Sequence, residues 1–242
     1  MPVKVQVQRT VELWKLFRNE GDDPGAFYRR LAVDAVAGFE QRYGSLDGAR
    51  VADVGCGPGY YTEAFRAAGA FVVPLEYDAD ELRLAGDPPA GAMLGDAERL
   101  PLRTGALDGV FCSNMLEHTP RPGNVIDEMA RVLRPGGWGY LSFTNWYSPW
   151  GGHETSPWHY LGGDRAARRY ATRHGIEAKN RFGSSLFRVD IGDILRWARN
   201  APDVAVVDTF PRYYPRWCRP LVKIPGIREV ATWNLALVLE RR

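Results

Sequence analysis

The ten-residue string Val51-Ala52-Asp53-Val54-Gly55-Cys56-Gly57-Pro58-Gly59-Tyr60 constrains this chain more than any other feature. Residues suited to a short buried strand run into three glycines at alternate positions, and a helical pattern opens directly after them. That order lets backbone approach a ligand closely where a strand ends and a helix N-terminus begins. A dinucleotide fingerprint needs Gly-x-Gly-x-x-Gly, but Tyr60 stands where its third glycine belongs. Asp53 at the strand end would also repel a pyrophosphate. A carboxylate there suits a ligand with a cationic amine; the plainer alternative, capping of the helix that follows, is disfavoured by the attached glycine series.

Around this string the chain alternates. Residues 51–54 and 71–76 read as strands, with a helix over 61–68 between them that Gly69 stops, and Pro74 removes one ladder donor from the second strand. Residues 79–84 suit a short helix, 92–94 a short strand and 108–113 a fourth strand. A helix over 125–133 closes at Arg134-Pro135-Gly136-Gly137, and 139–144 forms a fifth strand. Strands alternating with short helices predict an α/β fold, a doubly wound and mostly parallel sheet covered on both faces. Upstream, a helix opens at Asp23-Pro24 with an apolar face of Tyr28, Leu31, Ala32, Ala35, Val36 and Phe39. Trp14, Leu16 and Phe17 mark a weaker one before it. Residues 146–188 have no clear period, 190–200 return to helix, and 204–210 and 233–240 are the last strand candidates. The expectation is one domain over 1–242. It comprises N-terminal helices over 1–48, a ligand-binding half over 49–145, an insertion after the fifth strand over 146–188, and a closing helix and strands over 189–242.

Composition excludes other classes. With 45% hydrophobic residues and a net charge of +2, disorder is not the dominant state. No apolar run approaches the ~20 residues that cross a bilayer, and the start lacks the apolar core of a secretory signal. Cys56, Cys112 and Cys218 have neither disulfide-framework nor metal-ligand spacing, so a reducing cytoplasm is the expected compartment. The small net charge conceals a split: residues 1–160 hold 15 Lys+Arg against 21 Asp+Glu, and residues 161–242 hold 16 against 8.

With four further landmarks the sequence resembles the class I S-adenosylmethionine-dependent methyltransferases, in particular the small-molecule group called type 11. Glu76 ends the second strand, and Gly95-Asp96-Ala97-Glu98-Arg99-Leu100-Pro101 resembles the family's adenine loop. Residues 108–118 resemble its fourth strand and following loop, and Leu133-Arg134-Pro135-Gly136-Gly137 its turn before the fifth strand. The resemblance implies S-adenosylmethionine as cofactor and a Rossmann-like sheet of seven strands, the last antiparallel. It places the cofactor on Asp53, Gly55, Cys56, Gly57, Gly59 and Tyr60, with Glu76 and Tyr77 at the ribose. Asp96 and Ala97 are then at the adenine, and Ser113 and Asn114 under the methionine moiety. Cys56 and Cys112 are read as packing residues, because methyl transfer from a sulfonium needs no covalent enzyme intermediate.

Methyl transfer asks for in-line alignment, exclusion of water and, for a hydroxyl acceptor, removal of a proton. Trp146, Tyr147, Trp150, Trp158 and Tyr160, interleaved with His153, Glu154 and His159, supply aromatic walls and candidate bases just past the fifth strand. Trp150-Gly151-Gly152-His153-Glu154 and His159-Tyr160-Leu161-Gly162-Gly163 are similar to a group of largely mycobacterial methyltransferases of poorly defined substrate. His153, then His118 and His159, are the candidate bases for O-methylation of a small-molecule or lipid- or saccharide-linked acceptor. N- or C-methylation, a cofactor-binding protein without turnover and a nicotinamide dehydrogenase are the alternatives. The His153, Glu154 and His159 spacing is not a helical His-Glu-x-x-His, and no metal is expected. The basic final third, with Pro211-Arg212-Tyr213-Tyr214-Pro215-Arg216-Trp217 at its centre, suits an anionic acceptor or peripheral contact with lipid headgroups, or simply a solvated face. No nucleic-acid partner is expected, and the chain is read as a monomer or homodimer.

Overall fold

The computed structural model describes residues 3–18 and 24–242, without the side chains of residues 3–6, 17 and 24. The expected cap Asp23 and the Phe17 side chain therefore lie outside the described residues. Two helices come first, α1 (Val3–Arg18) and α2 (Pro24–Tyr43). Then β1 (Arg50–Val54), α3 (Tyr60–Ala67), β2 (Phe71–Glu76), β3 (Met93–Leu94), β4 (Leu107–Ser113), α4 (Pro122–Val132) and β5 (Leu133–Thr144) alternate. The rest holds α5 (Gly163–His174), α6 (Ile191–Asn200), β6 (Val204–Pro211), α7 (Ile227–Ala231) and β7 (Asn234–Arg241).

The seven strands form one sheet in the order β3-β2-β1-β4-β5-β7-β6. Only β7 runs antiparallel, to both β5 and β6. Strand β1 lies inside the sheet, and its residues alternate between two apolar layers, as period-two side chains must in a sheet covered on both faces. Ala52 and Val54 face Ile126 and Met129 of α4 with Ile194 and Leu195 of α6. Val51 faces Phe65 of α3 with Leu31 and Phe39 of α2. On that second layer Phe39 stacks on Trp138 with ring centroids 4.2 Å apart. The Trp138 ring in turn covers Gly109 so closely that a Cβ there would lie 2.3 Å from it.

Proline 74 fits for a local reason. The Leu75 carbonyl accepts from Gly55 N and Cys56 N on the β1 side, and the Glu76 carbonyl accepts from Gly95 N on the other. Position 74 therefore turns its backbone groups outward, where β3 reaches only Leu75 and Glu76. The turn expected at 134–137 is instead a bulge inside β5. Leu107 pairs with Leu133 and Gly109 already with Trp138. Helix α5 lies in the segment that shows no period, and its buried residues are only Gly163 and Ala166. A face built from such small side chains leaves little hydrophobic contrast to read. Among the described residues no helix is long and apolar enough to cross a membrane. All three cysteines are free.

Candidate active site

The glycine loop after β1 turns sharply at the carboxyl end of the sheet. Gly55, Gly57 and Gly59 all have positive φ, at 71°, 49° and 91°. A Cβ on Gly55 would meet Met115 Cγ at 2.7 Å, whereas one on Gly57 would meet nothing within 4 Å. Gly57 thus opens onto a cavity of about 1510 Å³ that is bounded by the loop, the ends of β2 and β4 and the insertion. That volume exceeds the ~300–1,000 Å³ of a single-ligand pocket.

Glu76 ties the loop to β2. Its Oε2 accepts from Gly57 N at 2.9 Å, while Oε1 accepts from Tyr77 N at 2.8 Å and Asp78 N at 3.3 Å. A carboxylate accepts at about four positions, so Glu76 keeps acceptor capacity toward the cavity it lines. Asp96 Oδ1 accepts from Glu98 N at 2.8 Å and folds the loop after β3. Asp96 and Ala97 line the same end of the cavity, with Cys56 and Tyr60 beside the loop and Tyr77 at the rim. An adenosyl ligand fits this end. Gly57 leaves room for it, and Glu76 and Asp96 offer acceptors to hydroxyl and amine groups.

Two residues of the glycine string sit elsewhere. Asp53, expected at the ligand amine, is 1% exposed and lies behind the loop. Its Oδ2 accepts from Thr62 Oγ1 at 2.7 Å and so anchors α3. Burial pushes the Asp53 carboxyl up to about 7, against the hydrogen bonds from Thr62. Gly59 is the cap residue of α3, and a Cβ there would strike Pro89 at 2.3 Å. It serves the turn rather than the cavity wall. Burial also raises the Cys56 and Cys112 thiols above their ordinary range, which keeps both protonated as packing groups.

Ser113 and Asn114 reach the cavity at the end of β4, but their side chains serve a residue from the basic stretch. Arg212, 6% exposed, donates to Ser113 Oγ at 2.7 Å, Asn114 Oδ1 at 3.1 Å, Ser142 Oγ at 2.8 Å and the Tyr61 hydroxyl. Burial opposes its charge, yet the surrounding Tyr140, Tyr61 and Tyr213 hold its pKa above the ordinary guanidinium value. Arg212 is therefore an internal clamp on the ends of β4 and β5, not a surface cation. Other basic residues of the final third are paired: Arg219 with Asp208 at 3.0 Å, Arg188 with Asp190 at 2.7 Å and Lys179 with Glu81 at 2.6 Å.

The histidines divide. His118, in a 3₁₀ turn at Leu116–His118, and His153, in one at His153–Thr155, both line the cavity. Their ring centroids are 5.2 Å apart. His159 is 1% exposed, and its Nε2–H donates to the Ser148 carbonyl at 3.2 Å. The packing of the Trp150-Gly151-Gly152 turn takes His159 out of contention as a base. A Cβ on Gly151 would lie 1.9 Å from the Trp146 carbonyl, and one on Gly152 2.5 Å from the His159 ring. Those two glycines let the chain pass over His159 and project His153 instead. Glu154 points to Asn180 Nδ2, 2.9 Å away. The neighbour of both cavity histidines is Glu117, 2% exposed, whose Oε1 accepts from Thr144 N at 2.9 Å. Sequence reading missed Glu117 and Arg212 as site residues. Adjacency to His118 pointed to the first, and nothing local distinguished Arg212 from the other arginines of the basic stretch. Trp150, Trp233 and Tyr214 complete an aromatic wall, with Trp150 and Trp233 centroids 4.3 Å apart.

A sequence profile described as a methyltransferase domain matches residues 52–141. An uncharacterized methyltransferase of Mycolicibacterium gilvum is 43% identical, covering 98% of this chain and 95% of its own. One of Mycobacterium marinum is 42% identical, with coverages of 99% and 96%. Among solved structures, an S-adenosylmethionine-dependent methyltransferase from Mesorhizobium loti superposes with a TM-score of 0.56 at 18% identity, covering 86% of this chain and all of that one. A geranyl diphosphate methyltransferase in complex with S-adenosylmethionine gives 0.52 at 14% identity, covering 90% and 91%. At these identities the structural likenesses establish the fold.

Proposed function

This chain belongs to the methyltransferase family of those mycobacterial relatives, and on that premise we propose that it moves a methyl group from S-adenosylmethionine to an oxygen of a small or lipid- or saccharide-linked acceptor held in the same cavity. One observation carries the reading: a single cavity joins the glycine loop, Glu76 and Asp96 at one end to Glu117, His118 and His153 at the other. When bound, the cofactor supplies a methyl group on a positively charged sulfur, a good leaving group. Glu76 and Asp96 orient the ribose and adenine. Trp150, Trp233 and Tyr214 keep water out and offer ring faces suited to a cation. The acceptor proton leaves toward the Glu117, His118 and His153 corner, where burial holds the His153 pKa below its ordinary value and keeps the ring neutral.

An anionic acceptor fits a second feature of the insertion. Arg165, Arg168, Arg169 and Arg173 fall at helical spacing on α5 and are exposed. Arg169 lies over the Trp158 ring with its guanidinium carbon 3.8 Å from the centroid. Cations beside an aromatic face suit a phosphate-bearing headgroup. The reading is tested by incubating cell extract with the protein and methyl-labelled S-adenosylmethionine, and finding the labelled product by mass spectrometry. Label on an oxygen is expected, with turnover down ~100-fold or more in His153→Ala or His118→Ala, as for loss of a group that handles the transferred proton. Label on nitrogen or carbon, or full turnover in both variants, contradicts it.

A further inference from the structure

Resting on that methyl-transfer reading, we propose that Glu117, His118 and His153 form a site for one divalent transition-metal ion of the zinc or cobalt type, which holds the acceptor oxygen. One donor atom from each residue lies within 4.8 Å of the others, and all three residues line the cavity.

Each side chain is arranged as a ligand rather than as a packing residue. Glu117 Oε1 is fixed by Thr144 N at 2.9 Å, while Oε2 is buried with no hydrogen-bond partner. A fully buried carboxylate oxygen with nothing to accept pays its desolvation without compensation unless a cation meets it. The Nδ1–H of His118 donates to the Ser185 carbonyl at 2.6 Å. Metal-bound histidines are oriented in this way, with a backbone carbonyl fixing the tautomer and leaving Nε2 a free lone pair. His153 Nδ1 is buried and makes no well-formed hydrogen bond, although the Gly151 backbone interacts with the ring. Its backbone stands at φ 49°, a conformation uncommon for a residue with a side chain.

The donor set identifies the ion. Two imidazoles and one carboxylate match the three-ligand sets of catalytic zinc sites that leave a position open, and they are poor partners for magnesium or calcium, which prefer oxygen ligands. Bond lengths of ~2.0–2.1 Å require donor atoms roughly 3.4 Å apart in tetrahedral geometry. Binding therefore draws the three side chains inward from their spacing of up to 4.8 Å. The open position faces the cavity. An acceptor hydroxyl bound there gives up its proton more readily, and the proton passes to water at the mouth of the cavity. The oxygen lone pair then forms the bond to the methyl carbon as the carbon–sulfur bond breaks, and its electron pair stays on sulfur as a neutral thioether. In the methyl-transfer reading the corner then handles the acceptor proton through the ion, which takes the place of direct transfer to a histidine ring.

The test is titration of the chelator-treated full chain with Co²⁺ alone, read by visible absorption, and metal analysis after dialysis against Zn²⁺. One equivalent of either ion is expected, with the cobalt bands of a low-coordinate site and no competition from Mg²⁺. Affinity should fall at least tenfold in Glu117→Gln, which keeps an acceptor for Thr144 N, and in His153→Ala. Calorimetry with S-adenosylhomocysteine on the same samples reports that each variant is folded. Absence of stoichiometric cobalt binding in the wild-type chain, or unchanged binding in both variants, overturns the ion site. If S-adenosylhomocysteine still binds in that case, the methyl-transfer reading stands. Cobalt binding without S-adenosylhomocysteine binding sustains the ion site and overturns the transfer reading.

Discussion

At the scale of single residues, Asp53 and Arg212 show how the fold uses charge out of the ligand's sight. Asp53 is pushed up to about 7 by burial, so the folded state holds its proton where the unfolded chain, near pH 4, has released it. The folded pKa lies above the unfolded one, and this group's contribution to stability declines as pH rises from about 4 to about 7 and levels off above that. Asp53→Asn, with a neutral side chain of the same shape, should flatten that slope. It should also gain stability at pH 8, on the order of 2–4 kcal/mol at ~1.4 kcal/mol per pKa unit. Urea unfolding at pH 5, 6.5 and 8 checks both. Arg212 makes the opposite case, a buried cation satisfied by hydroxyl and amide oxygens. Arg212→Leu leaves Ser113, Asn114 and Ser142 without that donor and should cost on the order of 3 kcal/mol in the same assay. Asp53 was noticed in the sequence for its place in the string, yet a strand-end carboxylate has two ways to face. Only the packing of α3 decides between them, through Thr62, nine residues away.

At the scale of elements, the β1 loop and the insertion differ in how much they declare. The glycine string was legible because its chemistry is local: Gly55 and Gly57 need positive φ and the space a side chain would take. Gly57→Asn should leave the sheet intact, since nothing lies within 4 Å of its Cβ position and asparagine tolerates the left-handed backbone at φ 49°. The added side chain would project into the cavity, and cofactor affinity should fall at least ~10-fold, about 1.4 kcal/mol. The parallel strands were legible for a similar reason, as short apolar runs separated by turns. Residues 146–188 were not, because α5 presents a small-residue face and the segments on either side of it are fixed by distant partners. Phe187 N bonds to the Glu117 carbonyl and Trp146 N to the Val189 carbonyl. Which histidine reaches the cavity follows from two glycines squeezed against Trp146 and His159, a contact that residue spacing does not encode.

At the scale of the whole molecule, the split in charge that spans the chain resolves into three uses. Carboxylates of the first part, Glu76 and Asp96, line the cofactor end of the cavity. Several cations of the last third pair with their own neighbours, and Arg212 is internal. The exposed stripe on α5 is open to an anionic partner. The Arg165→Glu, Arg168→Glu, Arg173→Glu triple variant should therefore lose sedimentation with anionic vesicles at low salt, while neutral vesicles bind neither form. Equal sedimentation of variant and wild type would leave the stripe as solvated surface. On the proposed function, the cavity at the carboxyl end of β1 and β2 binds S-adenosylmethionine on the Gly57 side. Calorimetric titration of S-adenosylmethionine into the full chain and into Gly57→Asn decides this. One equivalent bound by the wild-type chain and a clearly weakened or absent isotherm in the variant is the predicted result. No heat of binding in the wild type, or the same isotherm in both, would contradict it.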